Sequence, residues 1–308
     1  MEKLNTQVNK MKEQIDILAT TVKATEPKTE SISEIKSMRE DQDIRLQQAA
    51  NIATDTKLLQ TKIENDKALI NNAIFSTLSA PLKAFGYAGK KINETLLNFS
   101  DNQKQRLSTK IQRVVDQEIK IQSLPTLANA TEAYLYTEQE PDLAELFENL
   151  IANTVDRTKN VHPSFVEILK QLSSKDASLL KMLFPYLFDS EIAICSILFY
   201  REEQQFTYVY RNLLSFTYAG TNEPYIEQDL PIIIDNLIRL QLVTVEYGKS
   251  VVGVDYETAF RNRPEYQQFE QILRDGESLE LEYGVLMITD FGRAFYKAVQ
   301  STTDSQID

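Results

Sequence analysis

Apolar side chains recur at three- and four-residue steps along most of the chain, which makes helix the dominant expectation. The clearest run is Pro141 to Leu183. Leu143, Leu146, Phe147, Leu150, Ile151, Thr154 and Val155 trace one stripe, and Pro141 suits a first helical turn. Asp142 and Glu145 sit where the positive end of a helix dipole favours carboxylates. A polar break, Asp156 to Asn160, stops this helix, and a second opens near Ser164 with Phe165, Ile168, Leu169 and Leu172 on one face. Ser173-Ser174-Lys175-Asp176 then starts a third helix with a capping box: the serine oxygen accepts a backbone N–H and the aspartate reaches back.

Toward the N-terminus, Leu4, Val8, Met11, Ile15, Leu18 and Val22 alternate steps of four and three, a heptad seam that requires a partner helix. The partner is either another copy, giving a homo-oligomer, or residues 40–70 of the same chain, whose own pattern is weaker. From Ala73 to Phe99, Leu78, Leu82 and Phe85 alternate with Lys83, Lys90 and Lys91. Two readings stay open there: a packed helical hairpin, or an amphipathic segment that contacts a membrane or a partner. Lys104 to Gln122 reads as a helix with one cationic side, closed by Leu124-Pro125.

Phe184 to Tyr200 is almost continuously apolar and reads as a core helix, followed by the aromatics Phe206, Tyr208, Tyr210, Phe216 and Tyr218. Leu230 to Leu240 is a helix, Leu242 to Val245 a strand, Tyr256 to Asp275 a polar helical excursion and Tyr283 to Ile288 a second strand. Thr289 caps a last helix, Asp290 to Val299. That order looks like a winged helix with a long wing. The predicted fold is therefore mainly α: a coiled-coil arm (1–72), an amphipathic basic helical connector (73–125), a central helical domain (126–200), a winged-helix-like α+β module (201–300) and a disordered tail (301–308).

Charge narrows the partners. The net charge is −12, and residues 131–308 hold 14 Lys+Arg against 29 Asp+Glu, whereas 76–130 hold 8 against 4. The acidic portion repels phosphate backbones. The helix that would read DNA carries Asp229, Asp235 and Asn236 beside a single arginine, Arg239, so nucleic acid is disfavoured as a partner. With 1 His and 1 Cys in the chain, no His/Cys metal centre can form, and no glycine-rich phosphate loop occurs. Neither a cofactor nor catalysis is expected: Cys195 lies in an apolar run, and His162 precedes a helix whose turn it can satisfy. The charged N-terminus lacks the apolar core of a secretory signal, and no window is long and apolar enough to span a bilayer, so a cytoplasmic protein is expected.

Two stretches carry a family resemblance. Leu143 to Asn153 reads LxELFxNLIAN, and Val161 to Lys181 reads VHPSFVEILKQLSxxDAxLLK. Leu146, Phe147, Asn149 and Leu150, then His162, Pro163, Ser164 and Phe165, are their most specific residues. The chain thereby resembles the Abi-alpha family of bacterial proteins, named for abortive infection, over roughly residues 70 to 300. The resemblance implies a role in defence against phage and supplies no catalytic residues. A non-enzymatic protein follows, one that recognises a phage protein as trigger, assembles with itself and acts either in the cytoplasm or, on activation, at the inner membrane by disrupting it. The alternative is a winged-helix transcription regulator or nucleic-acid binder.

Overall fold

The computed structural model describes residues 10, 12–14, 16–17, 43–62, 78, 82–114, 119–202, 205–217 and 224–300. The chain divides into two compact units, Met1–Ser76 and Thr77–Asp308. In the first, residues 43–62 are helical, and the less exposed side chains Arg45, Ala49, Ile52, Thr56 and Leu59 recur at steps of four and three. The seam positions Leu4, Val8, Met11, Ile15, Leu18 and Val22, and the tail 301–308, lie outside the described residues.

The second unit runs α1 (Gly86–Leu97), α2 (Asp101–Ile111), α3 (Leu124–Tyr134), α4 (Pro141–Thr154), α5 (Ser164–Leu169), α6 (Ser174–Asp189), β1 (Ile192–Glu202), β2 (Gln205–Leu214), α7 (Leu230–Arg239), β3 (Val243–Tyr247), α8 (Tyr256–Arg261), α9 (Pro264–Glu270), β4 (Ser278–Ile288) and α10 (Asp290–Val299). Helix α4 is its hub, touching α2, α3, α5, α6 and α10. Every residue from Leu143 to Thr154 except Glu145 is buried, so its sides are covered by neighbours and not only its apolar stripe. The capping box at the start of α6 is present, with Ser173 N–H donating to Asp176 Oδ2 at 2.7 Å.

The four strands form one antiparallel sheet in the order β2-β1-β4-β3. Tyr256, Phe260 and Tyr266 of α8 and α9 cover one face, packing on Ala193, Cys195, Ile197, Leu213 and Leu279. Helix α7 lies against β2 and β3 and also touches α6. The excursion breaks into two helices because Pro264 bars helical geometry at Arg263, whose guanidinium instead donates to the carbonyls of Leu214 and Tyr225.

Four expectations are corrected. The apolar run read as a core helix to Tyr200 is helical only to Asp189; Ile192–Glu202 is β1. A strand with neighbours on both edges and cover on both faces is apolar throughout, so it lacks the period-two alternation that separates strand from buried helix. The basic helix expected to reach Gln122 ends at Ile111. Ile119 bridges Asp156, and the Lys120 and Gln122 N–H groups donate to Val155 and Thr154 carbonyls, filling acceptors that the end of α4 leaves open. Pro125, read as a terminator, sits in the first turn of α3, where its missing N–H costs nothing. Finally, helix, strand, excursion, strand and helix follow in the expected winged-helix order, but β4 also pairs with β1. The sheet thus has four strands where a two-strand wing was expected.

Candidate functional site

The motif residues on α4 build the scaffold. Leu146, Phe147, Leu150 and Phe165 are core side chains. Asn149 Nδ2 donates to the Val299 carbonyl and Asn153 Nδ2 to the Ala298 carbonyl, each at 2.8 Å, so α4 caps the C-terminal end of α10. Glu148, 2% exposed, accepts from Tyr134 Oη at 2.8 Å and pairs with Arg106 at 2.5 Å. Burial pushes the Glu148 carboxyl above its ordinary value despite those two hydrogen bonds. One turn away, Lys181 bridges Asp142 at 2.6 Å and Glu145 at 2.7 Å, and Lys110 reaches Glu145 at 2.9 Å. The Lys181 and Ser178 hydrogen bonds hold Asp142 below the usual carboxylate range. For Glu145, burial pushes upward, but hydrogen bonds from Lys181 and Lys110 outweigh it and lower the pKa.

His162 is exposed and works at the start of α5. Its Nδ1 accepts the Ser164 N–H at 3.2 Å and lies 2.6 Å from Ser164 Oγ, while the ring packs beside Phe165 and Phe291. Pro163 occupies the N-cap position. This is a local cap, with no carboxylate among the described residues bonded to the imidazole. In the connector, Leu78 and Leu82 are fully buried. Gly89 permits that packing, since a Cβ there would lie 1.9 Å from the Leu82 carbonyl oxygen. Lys83, Lys90 and Lys91 are exposed and Phe85 is 42% exposed. Cys195 is buried and burial raises its thiol pKa, which keeps it protonated and unreactive.

The most site-like arrangement lies elsewhere, on the sheet face opposite α8 and α9, which α7 covers at one end and leaves open at the other, around Phe206. Cys195 pairs with Leu213 and Ile197 with Tyr210, so Arg211 and Asn212 together oppose Ser196. This is a β-bulge, and it puts Asn212 in the left-handed region at φ 55°. Non-glycine residues rarely hold that conformation unless surroundings impose it. Here the surroundings are a hydrogen-bonded chain: Ser196 Oγ donates to Tyr247 Oη at 2.9 Å, Tyr247 to Asn212 Oδ1 at 3.0 Å and Asn212 Nδ2 to Asp235 Oδ1 of α7 at 2.9 Å. Tyr247 reaches across because its neighbour on β4 is Gly284, where a Cβ would stand 2.9 Å from the ring. Burial raises the Tyr247 pKa, so the phenol remains a donor.

These groups line a recess of about 250 Å³, completed by Tyr208, Arg211, Ile238, Val245 and Glu282. Tyr208 donates to Glu282 Oε2 at 3.1 Å, and the Arg211 guanidinium lies 4.0 Å from the Tyr208 ring centroid. Beyond the recess the same face continues as a row of rings: Phe206, 50% exposed, is 5.5 Å from Tyr200 and 5.6 Å from Tyr208. Sequence reasoning saw these aromatics but read them as junction core. The signal available was the two-residue step from Phe206 to Tyr208, which marks one strand face. A second register shift, at Val209, turns Tyr210 to the covered face, and no periodicity reveals that.

A mainly helical body built around one buried helix carries an antiparallel sheet, one face of which is partly open and lined by polar and aromatic side chains. The family model described as abortive infection alpha matches residues 96–299, more than half of the chain, and the chain belongs to that family. No curated protein and no solved structure matches it. Among the described residues no group of His, Cys, Asp and Glu is arranged to hold a metal ion, and no helix is long and apolar enough to cross a membrane.

Proposed function

We propose that the protein is a non-enzymatic antiphage defence protein of the abortive-infection type, which recognises a protein trigger through the open face of its sheet and assembles through residues 1–72. Family membership supports the defence role. The observation that carries the recognition role is the row of rings Tyr200, Phe206 and Tyr208 beside the polar recess, with Phe206 50% exposed and the two tyrosines half-buried, because large rings reaching solvent from a sheet are characteristic of interaction surfaces. Assembly through the heptad seam follows from sequence periodicity alone.

Membrane disruption is one form that the output takes in this reading. Leu78 and Leu82 are buried, so a bilayer-active state requires them to be uncovered, whereas the exposed Lys83, Lys90 and Lys91 are already available to anionic lipid. The experiment is a phage challenge of cells expressing the intact chain or Leu18→Asp, with purified full-length protein incubated in parallel with dye-loaded anionic vesicles. Protection that requires Leu18 supports assembly. Protection unaffected by Leu18→Asp removes assembly from the account, and vesicles that stay intact with protein and phage lysate together remove the membrane output.

A further inference from the structure

The recess on the open sheet face has unspent charge on both of its walls. Asp235 uses Oδ1 to accept from Asn212, and Glu282 uses Oε2 to accept from Tyr208; the second oxygen of each accepts no hydrogen bond from the described residues. Arg211 completes the picture. Its guanidinium lies 4.0 Å from the Tyr208 ring centroid and makes no hydrogen bond or ion pair with the described residues. The ring therefore holds a cation by its face alone, the arrangement that aromatic quadrupoles favour.

We propose that this recess binds an arginine or lysine side chain of a protein partner, its cationic head between the carboxylates of Asp235 and Glu282 and its stem against the rings of Tyr208 and Tyr247. The proposal rests on the reading of the protein as a recognition module and adds the chemistry of what is recognised. Size agrees. A recess of about 250 Å³ is below the usual ~300–1,000 Å³ of a drug-sized ligand and suits a single long side chain. Charge agrees as well, since the portion of the chain that bears the recess holds 14 cationic against 29 anionic residues. An acidic wall repels phosphate, which sets nucleic acid aside. The exposed Phe206 and the half-buried Tyr200 then supply apolar area beside the pocket for residues flanking the bound cation.

Arg211 provides a test of opposite sign, because its guanidinium already occupies the face of the Tyr208 ring against which the incoming side chain would pack. Removing it should strengthen binding, while removing either carboxylate should weaken it. The assay is fluorescence anisotropy of the full chain with a labelled, otherwise neutral Gly-Ser peptide carrying one central arginine, lysine or glutamate. The expected result is binding of the arginine and lysine peptides only. Glu282→Gln and Asp235→Asn each weaken it about tenfold, the loss of one charge-assisted hydrogen bond, and Arg211→Ala tightens it severalfold. Glu270→Gln, an exposed carboxylate on α9 at the other sheet face, leaves it unchanged and so measures general attraction to an acidic protein. Equal binding of the glutamate peptide, an equal loss in Glu270→Gln, or weaker binding in Arg211→Ala overturns the proposal. Absence of cation-selective binding, with protection against phage still lost when Phe206 and Tyr208 are replaced, overturns this inference and leaves the proposed function standing.

Discussion

Replacing Asn149 by alanine deletes the donor that closes the C-terminal end of α10. In the native fold Asn149 Nδ2 and Asn153 Nδ2 satisfy the Val299 and Ala298 carbonyls at 2.8 Å, in a setting where both asparagines are about 5% exposed or less. A buried carbonyl stripped of its partner costs about 1–3 kcal/mol. Neither carbonyl can readily recover the bond from water, because Ala298 and Val299 are themselves buried. Asn149→Ala should therefore lower the unfolding free energy by about 1–3 kcal/mol, a large part of the ~5–15 kcal/mol that a domain usually has. Asn149→Asp should cost more, since it turns a carboxylate toward a carbonyl oxygen. The double variant with Asn153→Ala should depart from additivity, because both side chains hold one helix end. Urea unfolding followed by far-UV circular dichroism reads the effect as a lower midpoint at unchanged slope. An Asn149→Ala protein with an unchanged midpoint but no protection against phage would refute the reasoning and move this motif residue from scaffold to function.

Further outcomes follow from other parts of the fold. Asp142 and Glu145 have lowered pKa values in the folded state, so the stability they add is present above their ordinary values of 3.8 and 4.5 and is lost as pH falls through the lower folded ones. Lys181→Gln should therefore shallow the acid limb of an unfolding-versus-pH curve below about pH 4.5, and an unchanged limb would contradict the assignment. Gly89→Ala should destabilise measurably in thermal unfolding, since its methyl would stand 1.9 Å from the Leu82 carbonyl oxygen; a neutral result would mean that this packing is loose. At Asn212, alanine loses two hydrogen bonds and must hold φ 55°, while glycine loses only the bonds, so Asn212→Gly should be the more stable by about 1 kcal/mol in urea unfolding.

How much was legible depended on which surface each segment faces. Helix α4, its Pro141 start, the Ser173–Asp176 capping box and the Thr289 cap of α10 are local grammar, and the structure carries each of them. Strand β1 was not legible, because burial on two faces erases alternation, and Ile192 to Tyr200 looks the same as a buried helix. The α2 boundary was missed because Ile119 to Gln122 is fixed by the end of α4, far along the chain, and not by its own neighbours. The motif pointed to Asn149 and His162 without showing that one clamps a helix end and the other caps a helix start. The recess eluded the sequence for a further reason: Ser196, Arg211, Asn212, Asp235, Tyr247 and Glu282 meet only through a bulge and a four-strand register.

The account stands on the claim that the open sheet face is where this protein meets what activates it. The most direct measurement is the plating efficiency of phage on cells expressing the intact chain or a Phe206→Ser, Tyr208→Ala double variant, with equal abundance and an equal unfolding midpoint confirmed for both. Loss of protection with the double variant is the predicted result. Protection equal to that of the intact chain would contradict it.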